Sequence, residues 1–313
     1  MPASSKSARR AASHVAGAAL SQRLNPAMAC DTAFRIIARH CLEDLAANQP
    51  ATCQTDPAAL HRMRIALTRL RTAIVFFSPV VADPEREQIR RELKWLNSHL
   101  GGVRDLDVAV ERMAAAGGSQ RSALERQAQD HHLRLARTLN SARYRRLIDS
   151  TLTWAENGSW STTRDKRAAR IRALPIAAYS ADKLARWQRK LVKKSDKLSR
   201  MDAKQRHRLR LKTKKLSYSV EFFDGLFPGK IHSRQELALK HLRRAQKSLG
   251  QLNDDARGQS LATTAGTSLR LPPKRRKRLI KATAKAYRKL ATQKPPFRRQ
   301  PKGIPVEDAQ LSH

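Results

Sequence analysis

HRMRIALTRLRTAIVFF, residues 61–77, and HRLRLKTKKLSYSVEFF, residues 207–223, are two versions of one segment. His61-Arg62 and Arg64 match His207-Arg208 and Arg210, Met63 and Ile65 are answered by Leu209 and Leu211, Leu70 aligns with Leu216, and both segments close on a phenylalanine pair. On a helix of about 3.6 residues per turn, Met63, Leu67, Leu70, Ile74 and Phe77 form one apolar seam. His61, Arg64, Thr68 and Arg71 follow the same rhythm on another face. The second segment repeats the design: Leu209, Leu216, Val220 and Phe223 pack, while His207, Arg210, Lys214 and Ser217 form the polar stripe. Arg62, Arg69, Arg208 and Lys215 flank the stripes. A solvated helix face normally mixes acids with bases at i, i+4, yet no acid occurs between His61 and Ser78 or between Gln205 and Val220. Such a row of cations repels itself unless an external anion offsets it. Arginine suits phosphate because its planar fork donates two parallel hydrogen bonds. Lysine adds compact charge, and a protonated histidine can donate from both ring nitrogens.

Outward from these segments the chain reads as helix after helix, with apolar residues three and four apart and no sustained alternation of period two. Helices are expected after Asn25-Pro26, over 56–78, 84–100 and 104–115, as a long pair within 119–157, and over 181–200, 203–226, 233–252, 254–264 and 274–292. Breaks are expected at Pro79, Gly101-Gly102, Gly117-Gly118, Gly158, Pro228-Gly229, Gly250 and Pro272-Pro273. The repeat extends to Leu100-Gly101 with Arg104-Asp105, matched by Leu249-Gly250 with Asn253-Asp254. Two similar halves, about 26–157 and 170–292, account for this order. The expected fold is all-α, with two helical bundles related by a pseudo-twofold axis around a central basic groove or pore. Residues 1–25 read as a basic tail, in preference to a transit peptide, and 293–313 as a Pro- and Arg-rich tail.

The charge balance sets the class of partner. The chain carries 64 Lys+Arg against 26 Asp+Glu, a formal net charge of +38, which calls for a polyanion: nucleic acid, an acidic membrane surface or polyphosphate. No apolar run is long enough to span a membrane. Cys30, Cys41 and Cys53 lack the paired spacing of a zinc site and read as reduced thiols, Cys30 and Cys41 on a core face beside Phe34 and Ile37. His40, His131 and His132 have no partner ligands at metal spacing and read as surface residues. Asp105 and Asp107 read as acids favouring the start of a helix after the glycine pair, with a salt bridge to Arg104.

His61-x-x-Arg64 running into Arg69-Leu70-Arg71 resembles the signature helix of CHAD domains, the conserved histidine α-helical domain family. Leu93-Lys94-Trp95-Leu96, Leu100-Gly101 and Arg104-Asp105-Leu106-Asp107-Val108 resemble its next motif, and Arg143-Tyr144 and Trp154 its middle section. His207-x-x-Arg210, Lys214-Lys215-Leu216, Tyr218 and Glu221-Phe222-Phe223 resemble its second half, closed by Gln246, Leu249-Gly250 and Asn253-Asp254. The similarity covers about 26–292. It implies two helical bundles whose basic residues line a groove that binds inorganic polyphosphate, with a non-enzymatic role at polyphosphate granules or in targeting, in the cytoplasm. By position, the resemblance assigns polyphosphate binding to His61, Arg64, Arg69, Arg71, Lys94, Arg104, His207, Arg210, Lys214 and Lys215. Arg243 and Lys247 join them if their helix turns that way. The chain departs from the pattern at Thr68 and Ser217, where basic residues are common, and at Lys247, where an acid is common.

Two other classes of function compete with this one. A nucleic-acid binder is supported by the run Lys274-Arg275-Arg276-Lys277-Arg278, but aromatic residues are only 5%, which leaves few stacking platforms. Against an enzyme, Glu85-Arg86-Glu87 is followed by Gln88-Ile89, so it lacks the lysine of the Glu-x-Glu-x-Lys motif of triphosphate tunnel domains. No P-loop pattern is present, and neither catalytic residues, nor a cofactor, nor metal ligands are expected. Reversing the charge at Arg64 and Arg210 is expected to abolish binding and leave the helices intact.

Overall fold

The structure is a computed structural model of the 313-residue chain and describes residues 23–114, 121–227, 229–265 and 272–293. Much of the basic N-terminal stretch, the Gly117-Gly118 break, Pro228 and most of the Pro/Arg-rich C-terminal stretch lie outside the described residues. Ten α-helices occur among the described residues: α1 (Cys30–Cys53), α2 (Pro57–Phe76), α3 (Glu85–Ala114), α4 (Arg121–Leu139), α5 (Ala142–Asn157), α6 (Lys166–Arg172), α7 (Ile176–Ser195), α8 (Ala203–Phe222), α9 (Lys230–Ala265) and α10 (Pro273–Thr292). No strand accompanies them among those residues, so the fold is all-α as the periodicity predicts. The chain divides into two compact units, Met1–Pro175 with Glu221–Leu226, and Ile176–Val220 with Phe227–His313.

Two expected breaks are absent. Helix α3 runs through Gly101-Gly102 and α9 runs through Gly250. An interior glycine costs a helix only about 1 kcal/mol relative to alanine, and buried residues on either side, Leu100 and Val103 in α3 and Leu249 and Leu252 in α9, hold these helices by packing. Asp105 and Asp107 therefore lie inside a helix and do not open one. The short α6 has no expected counterpart, and α7 begins at Ile176, ahead of the expected start.

In the first unit α1 packs on α2, α3 on α4, and α5 on α1 and α3. The apolar seam of α2 is buried as the wheel requires, and Phe34 of α1 stands at the centre of an aromatic cluster. Its ring centroid lies 5.6 Å from Phe77, 5.7 Å from Trp154 and 5.7 Å from Trp160. Phe223 joins the cluster at 5.4 Å from Phe76. Asp83 pins one edge, accepting from Trp154 Nε1 at 2.9 Å and from the Trp160 backbone N–H at 3.2 Å. Gly158 allows this closure, since a Cβ there would lie 2.5 Å from the Trp154 carbonyl oxygen and 2.6 Å from the Trp160 ring. Cys30 and Cys41 are buried and unbridged as expected, and burial pushes the Cys41 thiol up to about 12.

In the second unit α9 packs on α10, and α10 on α7. Gln188 donates to the Leu290 carbonyl at 3.0 Å, and the Tyr287 and Thr213 hydroxyls are 2.6 Å apart, tying α10 to α7 and α8. Helix α8 opens with a reciprocal cap: the Gln205 N–H donates to Asp202 Oδ1 at 2.6 Å, and the Asp202 N–H donates to Gln205 Oε1 at 3.1 Å. Asp56 caps α2 by accepting from the Ala58 N–H at 2.7 Å. Both histidine-headed helices thus start from an aspartate five residues before the histidine.

Replacing Phe34 with alanine removes the hub of the aromatic cluster and is expected to lower the unfolding free energy by about 3–5 kcal/mol. Denaturant titration measures it, and an unchanged midpoint would contradict this account of the core.

Candidate functional site

The two repeat helices carry their histidine and arginine one turn apart, and within its own unit each arginine meets the next Leu-Gly pair. In the first unit Arg64 Nη1 donates to the Leu100 and Gly101 carbonyl oxygens, both at 3.0 Å. In the second unit the Arg210 guanidinium lies where a Cβ on Gly250 would be 3.7 Å from Nε and 3.8 Å from Nη2. A Cβ on Gly101 would likewise lie 3.8 Å from Arg64 Nη1. These distances permit an alanine methyl, but a longer side chain would displace the guanidinium. The Leu-Gly signal therefore marks a close approach of arginine to a continuous helix.

His61 and His207 are both half-buried. The Asn253 amide nitrogen lies 3.2 Å from His207 Nδ1. An N–H donated from Asn253 places the ring proton on Nε2, and a proton on Nδ1 would require the amide to turn its oxygen inward. Donation from both ring nitrogens thus needs a rearrangement that the sequence does not reveal.

Arg71 is half-buried on α2 with no hydrogen-bond or ion-pair partner among the described residues. Burial, and then the neighbouring Arg90, hold its guanidinium below the usual range. Lys94 on α3 and Lys247 on α9 are exposed and likewise without partners among the described residues. Lys214 and Arg243 are half-buried and Lys215 is exposed.

Arg69 departs from expectation. It is 1% exposed, on a second buried face of α2 formed with Ala59, Ala66, Thr72, Ala73 and Phe76. Its guanidinium lies 5.7 Å from the Phe222 ring centroid, and Nε and Nη2 are buried with no hydrogen-bond partner among the described residues. Small residues at 66 and 73 leave room for the long side chain. It is a core cation, not part of an exposed stripe. Ser217 is also buried, and Thr68 donates to the Arg64 carbonyl at 2.7 Å, so neither extends a solvent-facing row.

Arg104 is opposed by acids. Its Nη1 lies 3.8 Å from Asp107 and 3.3 Å from Glu111, and its side chain is 11% exposed. Asp107 in turn lies 2.8 Å from His132 Nε2. The expected Arg104 salt bridge is present, but Asp107 is an interior partner and His132 is largely buried. His40 is buried as well, 3.9 Å from Glu43 and 3.8 Å from Asp44. Among the described residues, no group of three or more His, Cys, Asp or Glu side chains could hold a metal ion, and no helix is long and apolar enough to cross a membrane. The Asp107–His132 pair joins α3 to α4 and leaves no local sequence signal. The caps at Asp56 and Asp202 did leave one, because the repeat aligns them.

The contrast between Arg64 and Arg71 is measurable. Arg64→Met removes two charge-assisted hydrogen bonds and is expected to lower stability by about 1.5–3 kcal/mol. Arg71→Met removes an unopposed half-buried charge, and its effect is expected to be neutral or stabilising, within about 0.5 kcal/mol. Denaturant melts giving the reverse order would contradict these placements.

No curated protein matches the chain significantly. Among solved structures, the crystal structure of the CHAD domain from the plant Ricinus communis is similar, at 27% identity and a TM-score of 0.68, over 87% of this chain and 95% of that one. PptA from Streptomyces chartreusis shares the fold at 14% identity and a TM-score of 0.51, over 84% of this chain and 96% of that one. The sequence profile of the CHAD domain matches residues 36–263, which takes in both histidine-headed helices and both Leu-Gly contacts, and the chain belongs to the CHAD domain family.

Proposed function

We propose that this chain binds inorganic polyphosphate through cations on α2 and α3 of its first unit and α8 and α9 of its second, without turning the polymer over. The carrying observation is Arg71, a half-buried guanidinium beside Arg90 with no partner among the described residues. A chain of phosphates is the kind of ligand that relieves such a charge. Lys94 and Lys247 add unopposed cations, and CHAD domains are associated with polyphosphate and triphosphate binding. Each phosphate contact is modest. Successive contacts on one polymer are intramolecular, so avidity grows with polymer length. Counterions leave as the polymer binds, which makes affinity salt-dependent, by analogy with DNA. Polyphosphate granules in the cytoplasm are the proposed setting.

Nucleic acid is the second reading. It is favoured by Lys274 to Arg278 of α10, all exposed. Neutralising Arg275, Arg276 and Lys277 separates the two, since polyphosphate affinity is expected to survive that change nearly intact.

Because Arg64 holds the α3 backbone, charge reversal there would perturb the fold together with binding. Arg71→Gln with Lys94→Gln is the cleaner variant. By equilibrium binding, affinity for long polyphosphate is expected to fall about tenfold or more, about 1.4 kcal/mol, with helicity unchanged. Wild-type affinity in a folded double variant would sink the assignment. Phosphate release from polyphosphate over hours with magnesium or manganese would overturn the non-enzymatic part.

A further inference from the structure

Helix α9 carries a second cationic cluster that the proposed polyphosphate contacts do not use. His241 is 5% exposed, and its Nδ1 is buried with no hydrogen-bond partner among the described residues. Lys240 and Arg244 flank it on α9, and Lys289 faces it from α10, which packs against α9. No carboxylate among the described residues pairs with any of these three cations. Burial first, then Arg244, Lys289 and Lys240, hold His241 below its ordinary range.

A solvated basic face would explain exposed lysines, but it does not explain a buried imidazole with an unmade hydrogen bond among them. Leaving a buried polar atom unpaired is destabilising, and the surrounding like charges make protonation harder still. An oxyanion would answer both, by screening the cations and by favouring an imidazolium that can donate. The His241 ring is also turned away from the histidine-headed helix of the same unit. Gly250 of α9 faces Arg210, and at about 100° per residue the nine positions back to His241 lead to the opposite side of the helix.

We infer that His241, Lys240, Arg244 and Lys289 form a second oxyanion site, which takes a single phosphoryl group. The lysines and Arg244 supply charge, and the histidine ring supplies a directed donor once protonated. Proton and anion binding are thereby linked. The bound anion raises the His241 titration midpoint, and affinity rises as pH falls through that midpoint.

The test follows the histidine resonances of the full chain by NMR, with His241 assigned through His241→Gln. The chain is titrated with pH in the absence and presence of inorganic pyrophosphate, with long-chain polyphosphate as a second arm. In either arm the His241 midpoint is expected to rise by about one unit, which corresponds to about tenfold tighter binding by the protonated form. Arg244→Gln and Lys289→Gln, made singly so that one folding failure leaves the other variant, are each expected to reduce the shift. The probe effective at the lower phosphate concentration identifies free short phosphate or a chain end as the source. The shift is also expected to persist in the Arg71→Gln/Lys94→Gln chain, which keeps this site distinguishable from the polymer contacts. A midpoint unmoved by both probes, or a shift untouched by Arg244→Gln and Lys289→Gln, overturns the inference.

Discussion

Arg64 reaches from α2 to the carbonyl oxygens of Leu100 and Gly101, deep in the thirty-residue helix α3. A charged side chain donating to the backbone in mid-helix needs a small neighbour there, and Gly101 supplies that space. The contact fixes how α2 lies on α3, and therefore which cations of α2 remain outside. In the second unit the Arg210 guanidinium makes a similarly close approach to Gly250. In a chain with a formal net charge of +38, committing Arg64 to the α3 backbone is one instance of a division of the cations into two populations. Some are engaged by groups within the protein, and others meet no such group among the described residues.

The first population includes Arg64, Arg104 with its two acids, and Arg143, which pairs with Glu92 at 3.0 Å and stacks 4.1 Å from the Trp95 ring centroid. Arg69 is a special member, buried against Phe222. The second population includes Arg71, Lys94 and Lys247, which have no partners among the described residues. Sequence alone cannot sort the two, because an arginine looks the same whether it faces a carbonyl, a ring or water. Burial and partners decide, and they set Arg69 and Arg104 apart from the other cations to which the resemblance assigned binding.

Much was legible beforehand because helix periodicity is a strong signal. The seam of Met63, Leu67, Leu70 and Ile74 is buried, and the matched segments at 61 and 207 do form corresponding helices. The glycines were misread for a physical reason: a glycine marks a helix end or a close approach equally well, and only the neighbour across the gap distinguishes them. Asp107 followed the same error, since an acid soon after a glycine pair resembles a helix start. Its true partner, His132, lies on the next helix, beyond the reach of local pattern. The aspartates before each histidine were readable and carry the caps of α2 and α8.

Multivalent capture of a phosphate polymer by unopposed helix cations is the central claim, and its most direct test is affinity as a function of polymer length. Polyphosphates of graded length, titrated at several salt concentrations with duplex DNA as competitor, provide it. The account predicts affinity that climbs with length, falls steeply with salt, and withstands DNA at equal phosphate concentration. Affinity independent of length, or displacement of long polyphosphate by DNA under those conditions, would contradict it.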